Sequence, residues 1–266
     1  MITLSSDFGS PYPGAMKAVI CQWTRTQLVD VTHDLPRQNV PASAFWLREV
    51  LPYFPPAVHL AVIDPGVGTD RDALVVRAGD HALVGPDNGV LVPAARSLAG
   101  DAPDAFRIET RSDDSAGTDR TSWPPRRMSS TFHGRDVFAP AAAKVHETGV
   151  DRLETIPGLE PVETYESIRF PDPELSTQAA DGTVLAIDGF GNVITNIPGE
   201  VVAARFGTDV CVDGEPQPLR SAYGAVDPGQ PVVTVGSHGN VELAVNQGRG
   251  DDAFGLEMGE NVRVSW

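Results

Sequence analysis

Cysteine and lysine are nearly absent from this chain of 266 residues. The two cysteines, Cys21 and Cys211, have no metal-type spacing and supply no disulfide framework. They are expected as buried thiols in a reducing compartment. Lys17 and Lys144 are the two lysines; every other strong base is arginine. With 36 acidic residues against 20 basic ones the net charge is −16. No basic stripe is present to neutralise phosphates, which excludes nucleic-acid binding as an expectation. An acidic surplus with depleted lysine predicts a surface adapted to high salt; the plainer reading is an ordinary acidic cytosolic protein. No run of 18 apolar residues occurs, so neither a transmembrane helix nor a membrane partner is expected. The start, Met1 to Asp7, lacks the basic and apolar regions of a secretory signal. A cytoplasmic protein is therefore expected.

What is present is a 41% hydrophobic chain, enough for one large domain or two modest ones. The first half alternates strand and helix patterns. Ile2 to Ser5, Leu28 to Val31 and Val58 to Ile63 read as strands, the last buried on both faces. Residues 73–77 and 81–84 read as a hairpin pair. Helices are predicted over 14–23, 41–53, 90–99 and 137–148, with Pro41 suited to a first turn and Gly149 to a stop. This alternation predicts a central sheet flanked by helices. Residues 109–130, rich in Ser, Asp, Arg, Thr and Pro, read as a long exposed loop. A linker-like Phe170–Glu174 stretch follows. Then come short strands separated by Gly and Pro, at 183–188, 192–197, 209–212, 232–235, 241–245 and 261–264. The expectation is an α/β domain over 1–170 and a smaller all-β domain over 171–266.

Two segments concentrate ionisable groups where strands end: Val62-Ile63-Asp64-Pro65-Gly66-Val67-Gly68-Thr69-Asp70-Arg71 and Thr131-Phe132-His133-Gly134-Arg135-Asp136. Catalytic groups of α/β proteins tend to sit at such strand ends. An Asp, an Arg and a His brought together orient and polarise a water molecule. Each also has a bland reading. Asp64 caps a turn, His133 is a satisfied structural histidine, and Arg135 with Asp136 is a surface ion pair. Asp7-Phe8-Gly9 follows the first strand, where a carboxylate can take two hydrogen bonds from a ribose diol or simply cap the turn. Asp188-Gly189-Phe190-Gly191-Asn192 offers an aromatic face and an amide to a flat base, or is a glycine-rich turn. Ser237 lies outside a Gly-x-Ser-x-Gly elbow and is not read as a nucleophile. His133, His238, Asp7 and Asp64 lack close ligand spacing, so no metal site is expected.

Taken together, these segments resemble the S-adenosyl-L-methionine (SAM) hydroxide adenosyltransferases, hydrolases related to the SAM-dependent fluorinase and chlorinase. The matching stretches are Ser6–Gly9, Asp30-Val31-Thr32-His33, Tyr53-Phe54-Pro55, Val62–Gly68, Val84–Gly89, Thr131–Pro140, Ile187–Asn192, Gly236-Ser237 and Val245-Asn246. They span nearly the whole chain in family order.

The resemblance implies an α/β domain with a smaller β-barrel-like domain. It also implies a homotrimer, with SAM between the N-terminal domain of one subunit and the C-terminal domain of the next. The implied reaction is SAM plus water giving adenosine and L-methionine, with no cofactor. The family's Asp-Arg-His set falls on Asp64, Arg71 and His133. Substrate contacts fall on Asp7 (ribose), Phe190 and Asn192 (adenine), and Asp188 and Ser237 (methionine); Asn246 joins them as a binding candidate. One departure is the shortened Ser10-Pro11-Tyr12-Pro13-Gly14 loop, which lacks the family's Asp before Pro-Tyr and puts a methionine contact in doubt. The rival readings are a SAM-dependent halogenase, disfavoured because an anionic Asp64 repels halide, and a non-catalytic SAM or adenosine sensor.

Overall fold

Short runs of Val, Leu, Ile and Ala build the first sheet, and their burial on both faces marks them as interior strands. The computed structural model describes residues 1–100, 103–111 and 122–266. They divide into two units, Met1–Ile168 and Arg169–Trp266.

The first unit contains β1 (Ile2–Ser6), β2 (Leu28–Thr32), β3 (Val58–Val62), β4 (Ala73–Ala78), β5 (His81–Pro86), β6 (Asp104–Ile108) and β7 (Leu159–Val162). They form one sheet in the order β2-β1-β3-β5-β4-β6-β7. The pairs β1–β2, β1–β3 and β3–β5 are parallel; β4, β6 and β7 extend the sheet antiparallel. Four helices cover it: α1 (Tyr12–Trp23), α2 (Val40–Val50), α3 (Val92–Ala99) and α4 (Ala139–Thr148). Side chains alternate along each strand. Ile2, Leu4, Val58, Leu60 and Val62 pack with Met16, Val19 and Ile20 of α1 and the alanines of α4. The intervening residues face the other way, where Leu91, at the start of α3, lies over Gly85; a Cβ on Gly85 would meet its side chain at 3.1 Å and the Ala61 carbonyl at 2.3 Å. The result is a doubly wound α/β unit.

The order carries a functional consequence. From β1 the chain goes to β2 on one side, then returns to β3 on the other. The crevice between the carboxyl ends of β1 and β3 is therefore the topological switch point, the place where open α/β sheets bind ligands.

The second unit holds β8 (Glu174–Leu175), β9 (Ala179–Ile187), β10 (Val193–Pro198), β11 (Asp209–Val212), β12 (Glu215–Pro218), β13 (Pro231–Val235), β14 (Asn240–Val245) and β15 (Asn261–Ser265), with short helices α5 (Glu200–Ala203) and α6 (Gly250–Phe254). The strands run β12-β11-β15-β9-β10-β14-β13, with β8 beside β9, and every pairing is antiparallel. Just past β12, Arg220 N–H donates to the Val233 carbonyl of β13 at 3.0 Å. The sheet thereby nearly closes into a barrel around Val184, Val193, Ile197, Val210, Leu243 and Val262.

Several expectations change. The helix expected over 41–53 stays α-helical to Val50 and tightens to a 3₁₀ turn at Leu51–Tyr53, where Pro52 brings no N–H. The one expected over 137–148 starts from a π-helical turn, Gly134–Phe138. Cys21 is exposed, because the inward face of α1 is set by Met16, Val19 and Ile20, and Cys211 is half-buried on β11, whose inward face is set by Val210 and Val212. The 109–130 loop includes residues 112–121, which lie outside the described residues. Its described flanks are not simply exposed. Arg111 N–H donates to the Pro125 carbonyl at 2.9 Å, Pro125 is buried, and Trp123 packs on the core and donates to the Pro157 carbonyl. An indole ring and a proline find more apolar contact there than in water.

Candidate active site

Asp7 leaves the end of β1 and Asp64 leaves the end of β3, and the last residues of these strands, Ser6 and Val62, are direct partners. The two carboxylates therefore flank the switch point. Between them opens a cavity of about 470 Å³ whose walls include Asp7, Phe8, Tyr12, Asp64, Phe132 and His133.

His133 reaches this point from far along the chain because two glycines permit close approach. Gly134 lies against α1 and β3: a Cβ there would meet Met16 Sδ at 2.9 Å and Val62 Cγ1 at 3.4 Å. Gly68 has φ +86°, and a Cβ there would meet the Ser130 carbonyl oxygen at 2.6 Å. The loop after β3 and the loop before the π turn are thus packed backbone to backbone.

Arg71 organises the result. Its Nε donates to Asp64 Oδ1 at 2.7 Å, and its Nη2 donates to Asp64 Oδ2. The same Nη2 donates to His133 Nδ1 at 2.9 Å, and Nη1 donates to the Asp72 carbonyl at 3.0 Å. The guanidinium lies over the Phe138 ring at 5.0 Å. Asp64 and Arg71 side chains are only 6% and 10% exposed, so this is a buried, bidentate pair. Asp64 and His133 face the cavity; Arg71 is not among its lining residues and stands behind both.

A guanidinium only donates. His133 Nδ1 must therefore accept, which fixes the imidazole as neutral with its proton on Nε2. Burial, and then the charges of Arg71 and Arg127, hold the His133 pKa below its ordinary value, in agreement with that tautomer. Asp64 is left as the anionic acceptor at the cavity wall.

Asp7 accepts the Gln38 N–H on Oδ2 at 2.6 Å. A carboxylate offers about four lone-pair positions, so capacity remains for a diol. The Arg135–Asp136 pair is not a surface pair: the Asp136 side chain is 0% exposed, and Arg135 lines the cavity.

In the second unit, Asp188 accepts from the backbone N–H groups of Phe190 and Asn192 at 2.8 and 2.9 Å and from Asn192 Nδ2 at 2.9 Å. These bonds shape the loop and leave Phe190 80% exposed at its tip. Ser237 is exposed. Asn246 donates from Nδ2 to the Val226 carbonyl at 2.7 Å, so its amide ties two loops of the barrel together. Among the described residues, no group of three or more His, Cys, Asp or Glu side chains is placed to hold a metal ion. No described helix is long and apolar enough to cross a membrane.

The chain thus carries a doubly wound α/β unit with two carboxylates flanking its switch point and an Asp-Arg-His set beside them, followed by a barrel-like unit with an exposed aromatic turn. Sequence models of the SAM hydroxide adenosyltransferase N-terminal and C-terminal domains match residues 2–156 and 182–263. The chain belongs to this family. It is 38% identical over 269 residues to an (R)-S-adenosyl-L-methionine hydrolase from Salinispora tropica, covering 99% of this chain and 97% of the relative. It is 41% identical over 264 residues to a protein of the same name from Thermus thermophilus, covering 97% of each. The crystal structure of an uncharacterized conserved protein from Thermotoga maritima superposes with a TM-score of 0.83 at 32% identity, covering 99% of this chain and all of that one.

Proposed function

We propose that this protein hydrolyses SAM to adenosine and L-methionine by in-line attack of water at C5′. The observation that carries the reading is the placement of Asp64 and His133 side by side on the cavity wall, with Arg71 behind them fixing both. The names of the relatives support the same substrate and specify its (R)-sulfonium epimer, which we take as the preferred form.

The chemistry suits these groups. A sulfonium departs as neutral methionine without protonation, so neither a general acid nor a cofactor is needed. Water needs a fixed position in line with the C5′–S bond and an acceptor for its proton. Positioning of this kind is worth up to roughly 7–11 kcal/mol of barrier. Asp64 accepts the proton. His133 Nε2–H donates to the water oxygen and orients the remaining lone pair toward C5′. Arg71 holds the Asp64 carboxylate in place through two hydrogen bonds and keeps His133 in the donating tautomer. Asp7 holds the ribose; Phe190 and Asn192 take the base; Asp188 and Ser237 take the amino-acid end.

We further infer a homotrimer in which each site draws on two subunits, since water-handling and base-reading groups lie in different units of the chain. A cytoplasmic setting and a salt-adapted surface are part of the same reading.

The test is incubation of purified protein with an (R)/(S) mixture of SAM in halide-free buffer. Equal amounts of adenosine and methionine, with (R)-SAM depleted first by NMR, are expected. A halogenated nucleoside on adding chloride would establish the halogenase. Tight binding without turnover would establish the sensor. Light scattering reads the assembly; an active monomer would remove the shared site.

A further inference from the structure

A second set of ionisable groups converges on Ser6, the residue before cavity-lining Asp7, and takes no part in the chemistry above. His33 Nδ1 is 2.7 Å from Ser6 Oγ, His33 Nε2 is 3.0 Å from Asp30 Oδ1, and Lys17 Nζ donates to Asp30 Oδ2 at 2.7 Å. The pattern is that of a nucleophilic Ser-His-Asp set, yet Ser6 is 0% exposed. No substrate reaches its hydroxyl, so nucleophilic chemistry is excluded. The chain of hydrogen bonds must do something else.

Its placement says what. Ser6 is the residue before Asp7. The Ser6 carbonyl accepts the Leu35 N–H at 3.2 Å, and the His33 carbonyl accepts the Gly9 N–H at 3.0 Å. Both sides of Asp7-Phe8 are thus tied to the segment carrying His33. The same segment supplies the Gln38 N–H that meets Asp7 Oδ2, and Gln38 holds the left-handed φ of +57°. Conformations of that kind persist only where the surroundings impose them. The β1–β2 register also shifts between Leu4 and Ser5, giving β2 one extra residue at Val31. Bulges near active sites re-aim side chains, and this one lies between Asp30 and His33.

We propose that His33 is a positioning residue for ribose recognition: the chain Lys17–Asp30–His33–Ser6 fixes the backbone around Asp7 so that its carboxylate meets both hydroxyls of a ribose diol. This rests on the proposed function, in which Asp7 holds the ribose. His33 touches no substrate. In its neutral form Nδ1 accepts the Ser6 hydroxyl while Nε2–H donates to Asp30, and Lys17 keeps Asp30 ionised. Selectivity for a diol then depends on residues one layer behind the one that contacts it.

The test compares adenosine with 2′,3′-dideoxyadenosine by calorimetry, for wild type and for His33→Asn, Ser6→Ala, Lys17→Met and, as reference, Asp7→Asn. Wild type is expected to prefer adenosine by roughly tenfold or more, the value of a charge-assisted hydrogen bond. In His33→Asn and Ser6→Ala that preference should collapse toward the Asp7→Asn value, while dideoxyadenosine binds as in wild type. Lys17→Met, at the partly exposed end of the chain, should show a smaller loss and keeps the test open should a buried variant fold poorly. In steady state, KM for SAM should rise more than kcat falls. Variants that lose affinity for both nucleosides alike, or keep the full diol preference, overturn the proposal. If wild type distinguishes the two nucleosides but releases no adenosine from SAM, the proposed function fails and the positioning role stands. If wild type does not distinguish them, the positioning role fails.

Discussion

Replacing Arg71 by Met, alone and together with Asp64→Asn, separates what the buried pair does for stability from what it does for chemistry. In the single variant the Asp64 carboxylate, 6% exposed, loses both guanidinium bonds. An unpaired buried charge of this kind costs about 3–5 kcal/mol. Asp64→Asn alone should cost less, about 1–3 kcal/mol, because Arg71 keeps its bonds to the Asp72 carbonyl and His133 Nδ1. Once Arg71 is gone, neutralising Asp64 removes the uncompensated charge, so the double variant should be no less stable than Arg71→Met. The interaction energy is expected at about 1–3 kcal/mol. Urea unfolding of the four proteins at one pH closes the cycle, with unchanged m-values required for the comparison. Activity should follow the opposite course. The double variant regains stability but not turnover, having lost the anionic acceptor and the group that fixes the His133 tautomer. Costs that add to within about 0.5 kcal/mol would mean the groups do not interact and would refute the argument. A double variant turning over SAM within tenfold of wild type would remove the pair from the mechanism.

Three further outcomes are expected. His59 is buried between Thr3 Oγ1 at 2.7 Å and His81 at 2.9 Å, and burial pushes its pKa down to about 3. The unfolded chain, with a histidine pKa of about 6.5, binds the proton first; stability from this group is full above that value, falls by about 2 kcal/mol at pH 5, and declines further toward pH 3. Denaturant midpoints against pH should show this acid limb, and His59→Gln should lack it. Gly68→Ala forces a Cβ onto the Ser130 carbonyl at 2.6 Å and a strained φ; a loss of about 1–3 kcal/mol with a fall in kcat is expected, and unchanged thermal stability would contradict the packing. Phe190→Ala should leave the melting temperature unchanged, since the ring is exposed, yet weaken adenosine binding by about 1–3 kcal/mol if the ring stacks on the base; calorimetry decides.

Much of this architecture can be read from residue pattern. Val58–Val62, apolar apart from His59 and buried throughout, is an interior strand with both faces covered, and the alternation of strands and helices in the first half does produce a flanked sheet. Strands that escape the pattern are largely at edges. Both β7, Leu-Glu-Pro-Val, and β12, Glu-Pro-Gln-Pro, contain proline and sit at the outer end of their sheets, where a missing N–H costs no ladder bond. Short β6, Asp-Ala-Phe-Arg-Ile, lacks clear alternation. At the site, Asp64 and Arg71 lie in the one connection between β3 and β4, and their seven-residue step fits the family's pattern. His133 stands 62 residues from Arg71; its segment stands out as a cluster of ionisable groups, and the family resemblance assigns it to the same set as Asp64 and Arg71. The His133 tautomer has no trace in sequence, because it follows from which nitrogen meets Arg71. Gln38 and the role of His33 were likewise illegible: the Asp30-Val31-Thr32-His33 motif is plain, but the bulge that aims it is a property of strand register.

The π-helical turn Gly134–Phe138, in which Ala139 N–H donates to the Gly134 carbonyl five residues back, bears on how this protein tolerates changes of length. Such a turn accommodates one residue more than an α-helical turn does. Deleting one residue there would let α4 run on as regular α-helix with its backbone bonds intact. Yet each residue turns an α-helix by about 100°. His133 would swing away from Arg71 while α4 itself kept its place on the sheet. Gaps in this stretch should therefore separate relatives that keep the shape from those that keep the reaction, and a one-residue shortening here is a sharper marker of lost activity than most substitutions in the cavity wall.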